Sequence, residues 1–144
     1  MLKKSITYTD FDDTERTEDF YFAMSKFDLL ELEASYKGGI QRAASRMRED
    51  EDNLGILELY KKIILKAYGK RSEDGKKFVK SKEAKEEFEQ SAAFQELLFE
   101  LILAEDAFEQ FLIGALPSNV AAEYQKTVAE MAKSAPEKTE TPSE

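Results

Sequence analysis

The chain has 144 residues, a length that suits one domain with a modest core. Hydrophobic residues make up 42% and charged residues 35%, which is typical of globular proteins and not of disordered or membrane-spanning ones. The net charge is −9, and the chain contains no Cys or His. These values exclude disulfides and thiol chemistry, and they argue against binding DNA or RNA through phosphates.

The N-terminal residues predict a β-hairpin over residues 3–24. Ile6 and Tyr8 alternate with polar residues, and Phe20 and Phe22 alternate with their neighbours, so both arms have the period of two that strands require. The acidic stretch "DFDDTE" between them supplies turn residues. Because an isolated two-stranded ribbon is only marginally stable, we expect its aromatic face to lie on the helices that follow.

The first helix is predicted to begin at Ser25, with Asp28 three residues later in the spacing of a capping box. The predicted inward side holds Phe27, Leu30 and Ala34, broadened by Leu29 and Leu32. The glycines at positions 38 and 39 end this helix.

Two further helices are predicted before the middle of the chain. Residues 40–50 have a weak amphipathic helical pattern that includes three arginines. Because the acidic run at 49–52 would neutralise these arginines, we interpret this helix face as solvated. Residues 53–69 have the strongest apolar band of the first half and predict the central core helix. We expect Gly69 to end it.

The helical pattern is interrupted between residues 70 and 81, where the chain reads "KRSEDGKKFVKS". The apolar residues here are Phe78 and Val79, and we interpret the segment as a surface strap anchored by Phe78. Ser81 is a suitable N-cap for the next helix, "KEAKEEFEQ".

Residues 91–116 form the most apolar part of the chain. One helical face is predicted to point inward and consists of Phe94, Leu97, Leu98, Leu101 and Ile102. Phe99 and Leu103 fall on another side, and Ile113 lies off the stripe of the next helix, which ends at Pro117. These three residues either pack against the hairpin as core or form an exposed patch, which usually marks an interaction site.

The C-terminal part divides into two predicted segments. Residues 118–134 could form a narrow amphipathic helix with Tyr124, Val128 and Met131 along its stripe. The pattern is equally compatible with docking of this helix onto a partner or a second copy of the chain and with packing on its own domain. Residues 135–144 are rich in Pro, Glu, Thr and Ser and predict a disordered acidic tail.

The carboxylates do not form a recognisable reaction centre. The closest acidic groups are at positions 12–13, 50–52 and 105–106, in turns or at helix ends. General acid–base work needs a carboxylate in a poorly solvated cleft, and "DFDDTERTEDF" lacks the central glycine of a calcium loop. The sequence therefore predicts no catalytic residues, no cofactor and no metal site.

These patterns together predict an α+β fold that is predominantly α-helical. An N-terminal β-hairpin packs on a bundle of about five helices, spanning residues 26–116, within a single domain at 1–117. A flexible C-terminal tail follows.

In order along the chain, several segments resemble the tail assembly chaperones of long-tailed bacteriophages and prophages. They are "KSITYTDFDD", "TEDFYFAMSKFDLLELE", "YKKIILKAYGKRSEDGKKFVKS", "FEQSAAFQELLFEL" and "FLIGALP", which together span roughly residues 1–117. Among these segments, "AYGKRSEDGKKFVKS" is the most specific for the family. The family often has a glycine in the hairpin turn where this sequence has Asp13 and Thr14.

The resemblance implies a non-enzymatic protein of phage tail morphogenesis. Such chaperones bind the tape measure protein and help tail tube subunits polymerise around it, in the cytoplasm of the bacterial host, and they are absent from the mature virion. In many phages a programmed ribosomal frameshift gives a longer form. Partners implied for this chain are the tape measure protein, the tail tube protein, the longer form and a second copy, with no nucleic acid and no membrane.

Candidate partner-binding residues follow from the apolar excess of the C-terminal half: Phe99, Leu103, Ile113, Tyr124, Val128 and Met131. Two other functions remain open from the sequence. A structural virion component, such as a minor tail or connector subunit, would stay in purified particles. An acidic inhibitor that mimics DNA would need carboxylates at phosphate-like spacing on one face, and the mixture of Lys with Glu on most helices counts against it.

Overall fold

A computed structural model describes residues 1–104 and 106–140, with side chains described up to residue 131. In chain order the elements are β1 (Leu2–Thr9), β2 (Glu15–Phe22), α1 (Lys26–Ala34), α2 (Ile40–Glu49), α3 (Asn53–Ala67), β3 (Tyr68–Arg71), β4 (Phe78–Val79), α4 (Lys82–Glu89), α5 (Ala92–Leu103), α6 (Ala107–Ala115) and α7 (Ser118–Glu140). The predicted α+β class is confirmed.

The N-terminal hairpin is present as predicted. β1 pairs with β2 in an antiparallel register that runs from Leu2 opposite Phe22 to Thr9 opposite Glu15. Along β1 the even-numbered side chains are buried or half-buried and the odd-numbered ones are exposed. The period of two therefore gives β1 one covered face and one face open to solvent, whereas in β2 only residues 20–22 are half-buried or buried.

The hairpin turn is held by Asp10. Its carboxylate accepts backbone N–H groups from Asp12 and Thr14, each at 2.9 Å, and the Nε of Arg16 at 2.5 Å. Asp13 adopts a φ of 63°, in the left-handed region that favours glycine and that Asp tolerates better than most residues. The glycine expected in this turn from the family resemblance is thus replaced by a residue that can adopt the same backbone.

The interruption after α3 lies at the surface as predicted, but it also extends the sheet, which the predicted strap did not include. β3 pairs with β2 through Tyr21 opposite Gly69, and β4 pairs with β3 through Arg71 opposite Phe78. Gly69 lies within β3 and permits this arrangement, because a Cβ at this position would come within 2.6 Å of the Phe78 ring. Phe78 does anchor the segment, but as a strand residue of a four-stranded sheet ordered β1-β2-β3-β4.

The predicted capping box at the start of α1 is confirmed. The Ser25 hydroxyl accepts the Asp28 backbone N–H at 3.1 Å, and the Asp28 carboxylate accepts the Ser25 N–H at 3.0 Å. The predicted inward side is wrong, however, because Leu29 and Leu32 are buried while Phe27 and Leu30 are exposed. Both stripes have helical spacing, and the packing of α1 within the folded chain decides which one faces the core.

An aromatic cluster joins the sheet to the helices. Phe22 is fully buried, and its ring centroid lies 5.0 Å from that of Phe111 on α6 and 5.9 Å from that of Phe88 on α4. Tyr68 of β3 stacks on Phe88 with centroids 4.1 Å apart. Aromatic pairs at such distances add to the energy of area burial, so this cluster is the centre of the core.

Helix α7 runs from Ser118 to Glu140, beyond the end at residue 134 that the sequence predicted. The first part of α7 joins the core, because Val120 and Tyr124 are buried within it. Of the predicted disordered tail, residues 135–140 have a helical backbone. Residues 141–144 lie outside the described residues.

The Lys85 side chain caps the C-terminal end of α3. Its Nζ donates to the backbone carbonyls of Leu65, Lys66 and Tyr68. Partial burial lowers the pKa of Lys85 to about 8, and the positive charges of Lys80 and Lys66 act in the same direction, opposed by Asp28. A cation at helix-terminal carbonyls is favourable, but this one is removed from water.

We expect the stability of the wild-type protein to rise, relative to a Lys85→Met variant, as the pH increases from about 8 toward 10.5. Over that interval the unfolded chain binds the proton that the folded protein has already lost, so raising the pH favours folding. Thermal unfolding at several pH values measures the effect. Lys82→Met, an exposed change on the same helix, is the control, and equal pH profiles for both variants would contradict the assignment.

Candidate interaction surface

Two large apolar side chains stand exposed on α5. Phe99 is 59% and Leu103 is 81% accessible, and they lie four residues apart, so they are neighbours on one side of the helix. We call these two residues the α5 pair. Of the two interpretations left open by the sequence, the structure supports an exposed patch for the α5 pair and not a place in the core.

The α5 pair is held on a firmly anchored helix. Phe94, Leu97 and Leu101 are buried on the opposite side of α5. The Nζ of Lys4 on β1 forms an ion pair with the Glu100 carboxylate, which joins α5 to the sheet. Because these contacts fix the position of α5, the helix backbone needs little ordering when the α5 pair binds a partner, which lowers the entropic cost of binding.

The other four candidate residues do not join the α5 pair at the surface. Ile113 and Val128 are half-buried and pack against the core, and Met131 is half-buried. Tyr124 is buried, and its hydroxyl accepts a hydrogen bond from Gln41 Nε2 at 2.9 Å. The N-terminal half of α7 therefore packs on α2 and α6 of its own domain, and Tyr124 offers no surface to a partner.

Replacing Tyr124 by Phe is expected to lower the free energy of unfolding by about 0.5–1.5 kcal/mol, the usual net value of one hydrogen bond. Burial raises the pKa of Tyr124 to about 12. The wild-type advantage should therefore be lost as the pH rises through 10 to 12, since the folded protein holds a proton that the unfolded chain releases. Denaturant unfolding at pH 7 and above pH 10 measures both effects, and a neutral substitution would show that the Gln41 bond contributes nothing.

A second exposed pair was missed by the sequence analysis. Phe27 and Leu30, which we call the α1 pair, are 67% and 54% accessible. The sequence pattern predicts both on the inward side of α1. No local signal distinguishes them from the buried residues Leu29 and Leu32, because α1 is apolar on both sides.

The described residues offer no grouping of His, Cys, Asp or Glu that could hold a metal ion. The acidic residues at positions 12, 13, 50 and 52 are exposed, and within the described chain no polar or charged side chain is fully buried. A groove between α2 and α6 is lined by Gln41, Arg48, Asp106, Phe108 and Glu109. Two of its polar groups are engaged, Gln41 with Tyr124 and Arg48 with the Tyr60 hydroxyl at 3.1 Å.

Among the helices of the described ranges, none combines the length and the apolar character needed to cross a bilayer.

The fold and the surface together define an α+β protein that exposes large apolar side chains on α5, a feature typical of protein-binding surfaces. The model of one known family, described as phage tail assembly chaperone, matches residues 1–144. The chain therefore belongs to the phage tail assembly chaperone family. Searches of curated proteins and of solved structures gave no match.

Proposed function

We propose that this member of the family acts without catalysis, by binding the tape measure protein and promoting tail tube polymerisation around it. The observation that carries the proposal is the α5 pair, two large apolar side chains exposed on an anchored helix. A client that aggregates through apolar segments needs an apolar surface to bind, and the net charge of −9 would keep the loaded chaperone dispersed. The protein would act in the host cytoplasm and leave before the virion is complete.

Co-expression with the tape measure protein of the same phage tests the proposal. We expect the tape measure protein to be insoluble alone, and soluble and co-purified when this chain is present. The experiment is repeated with any longer, frameshifted form of the chain, so that a requirement for both forms is detected. If neither form changes the solubility of the tape measure protein, the proposed client is wrong.

Purified phage particles give the complementary measurement. A chaperone of assembly is absent from them, whereas a minor tail or connector subunit remains at a fixed copy number. Detection of this chain by mass spectrometry in particles free of host protein would favour a structural role over the proposed function.

A further inference from the structure

The net negative charge of the chain is carried by the sequence segment that contains the α5 pair. Residues 86–125 contain nine Asp and Glu residues and no Lys or Arg. The charge of these nine residues equals the net charge of the whole chain, −9. In the rest of the chain the acidic and basic residues are therefore equal in number. We call residues 86–125 the acidic segment, and α5 and α6 lie within it.

Part of the acidic segment is neutralised within the fold. Glu87 pairs with Lys70 and Glu89 with Lys61, each at 2.7 Å, and Glu100 pairs with Lys4. Glu96 is exposed and takes part in no ion pair of the described residues. It lies three residues before Phe99, on the same side of α5.

The end of α5 adds to this negative field. Leu103 is the last residue of the helix, and the last turn carries no basic residue. The C-terminal carbonyls of a helix have a partial negative charge that favours a cation. The α5 pair thus lies next to Glu96 and at a helix end whose own last turn carries no basic residue, although Lys4 of β1 pairs with Glu100 there.

On the basis of the proposed function, we propose that the α5 pair binds an amphipathic client segment that combines Lys or Arg residues with large apolar residues. The apolar side chains would cover Phe99 and Leu103, and the cations would lie beside Glu96 and the end of α5. Charge complementarity of this kind favours the correct partner and speeds encounter more than it adds affinity. An acidic apolar segment would be rejected by the same field.

Other occupants fit this field less well. Residues 132–144 contain Lys133 and Lys138 but three glutamates, so the end of the chain has no net positive charge to offer. In a second copy, Lys61 and Lys70 are already engaged with Glu89 and Glu87, whereas Lys62, Lys76 and Lys77 are exposed, so self-association is measured directly by sedimentation.

The test uses two labelled peptides of about 18 residues, or five helical turns, one built from Leu and Lys and the other from Leu and Glu in the same amphipathic pattern. Fluorescence anisotropy should show that the full chain prefers the Leu/Lys peptide by about tenfold or more. The preference should fall with added salt, since exposed charges are screened. Equal affinity for the two peptides would overturn the inference.

Variants assign the binding to the α5 pair. Glu96→Lys should weaken binding of the Leu/Lys peptide by about threefold to tenfold, and Phe99→Ser with Leu103→Ser should abolish it. Glu73→Lys makes the same change of net charge in the exposed turn between β3 and β4, at the sheet edge opposite β1, and should leave binding unchanged. Equal effects of Glu96→Lys and Glu73→Lys would indicate a general charge effect and overturn the inference.

Two further results separate this inference from its alternatives. If sedimentation shows that the wild-type chain self-associates at the assay concentration and the Ser variant does not, a second copy covers the α5 pair and the inference is wrong. If the chain with Glu96→Lys prefers the Leu/Glu peptide but still captures the tape measure protein as the wild type does, the inference fails while the proposed function stands. If the wild type shows the peptide preference but captures no tape measure protein, the proposed client is wrong.

Discussion

Replacing Phe22 by Ala is expected to lower the free energy of unfolding by about 3–5 kcal/mol, the range observed when a buried Phe is truncated. Phe22 is fully buried, and its ring contacts Tyr68 of β3, Phe88 of α4 and Phe111 of α6. Its removal leaves a cavity where the sheet meets two helices. A loss of this size is a large fraction of the total stability of a small domain.

Urea unfolding followed by circular dichroism measures this change. Phe11→Ala is the matched control, because Phe11 belongs to the same hairpin but is 81% exposed at its turn. We expect the control to unfold within about 0.5 kcal/mol of the wild type. Similar losses for the two variants would show that the hairpin does not pack on the helices as described.

The second large effect concerns binding. Replacing both Phe99 and Leu103 by Ser is expected to weaken capture of the client by about thirtyfold or more, since truncating a central apolar anchor typically costs about 2 kcal/mol or more. Thermal stability should change little, because both side chains are exposed in the free protein. The measurements are co-purification of the tape measure protein and the melting temperature of the variant alone.

The α1 pair provides the matched control for this experiment. Phe27→Ser with Leu30→Ser removes a second pair of exposed apolar side chains from a different helix. We expect this variant to capture the client as the wild type does. The reverse pattern, with capture lost from the α1 pair and kept in the α5 variant, would move the binding surface to α1. Loss of stability in step with loss of capture would show that the α5 pair is core.

The charge distribution provides a physical reason for exposing apolar side chains at these positions. An exposed Phe and Leu on a neutral surface invite non-specific association. The α5 pair lies beside Glu96 and within a segment that contains no Lys or Arg. The carboxylates of this segment would repel other acidic surfaces that approach the α5 pair. The same acidic field that would select a basic apolar segment would also limit association between copies through this face.

Several features of the fold follow from the sequence alone, because they depend on neighbours within a few residues. The alternation in β1 and β2 predicts the hairpin, and Ser25 and Ser81 each cap the helix that they were expected to start. The buried faces of α5 and α6 are also predicted, since Leu97 and Phe111 belong to long apolar stripes with helical period. The exposure of the α5 pair was one of two interpretations that this period allowed.

Other features depend on contacts between distant parts of the chain, and the tertiary structure alone decided them. Strand β3 forms because the edge of β2 pairs with Tyr68 and Gly69, some 47 residues away in sequence. Strand β4 consists of only Phe78 and Val79, and so short a segment does not indicate which strand it will pair with. Helix α1 has two apolar stripes of equal spacing, and only the packing of the folded chain buries Leu29 and leaves Phe27 exposed. Tyr124 lies in the core because Gln41, on a helix far from it in sequence, accommodates its hydroxyl. Period and capping are local properties, whereas the choice of a partner surface is the result of packing the whole chain.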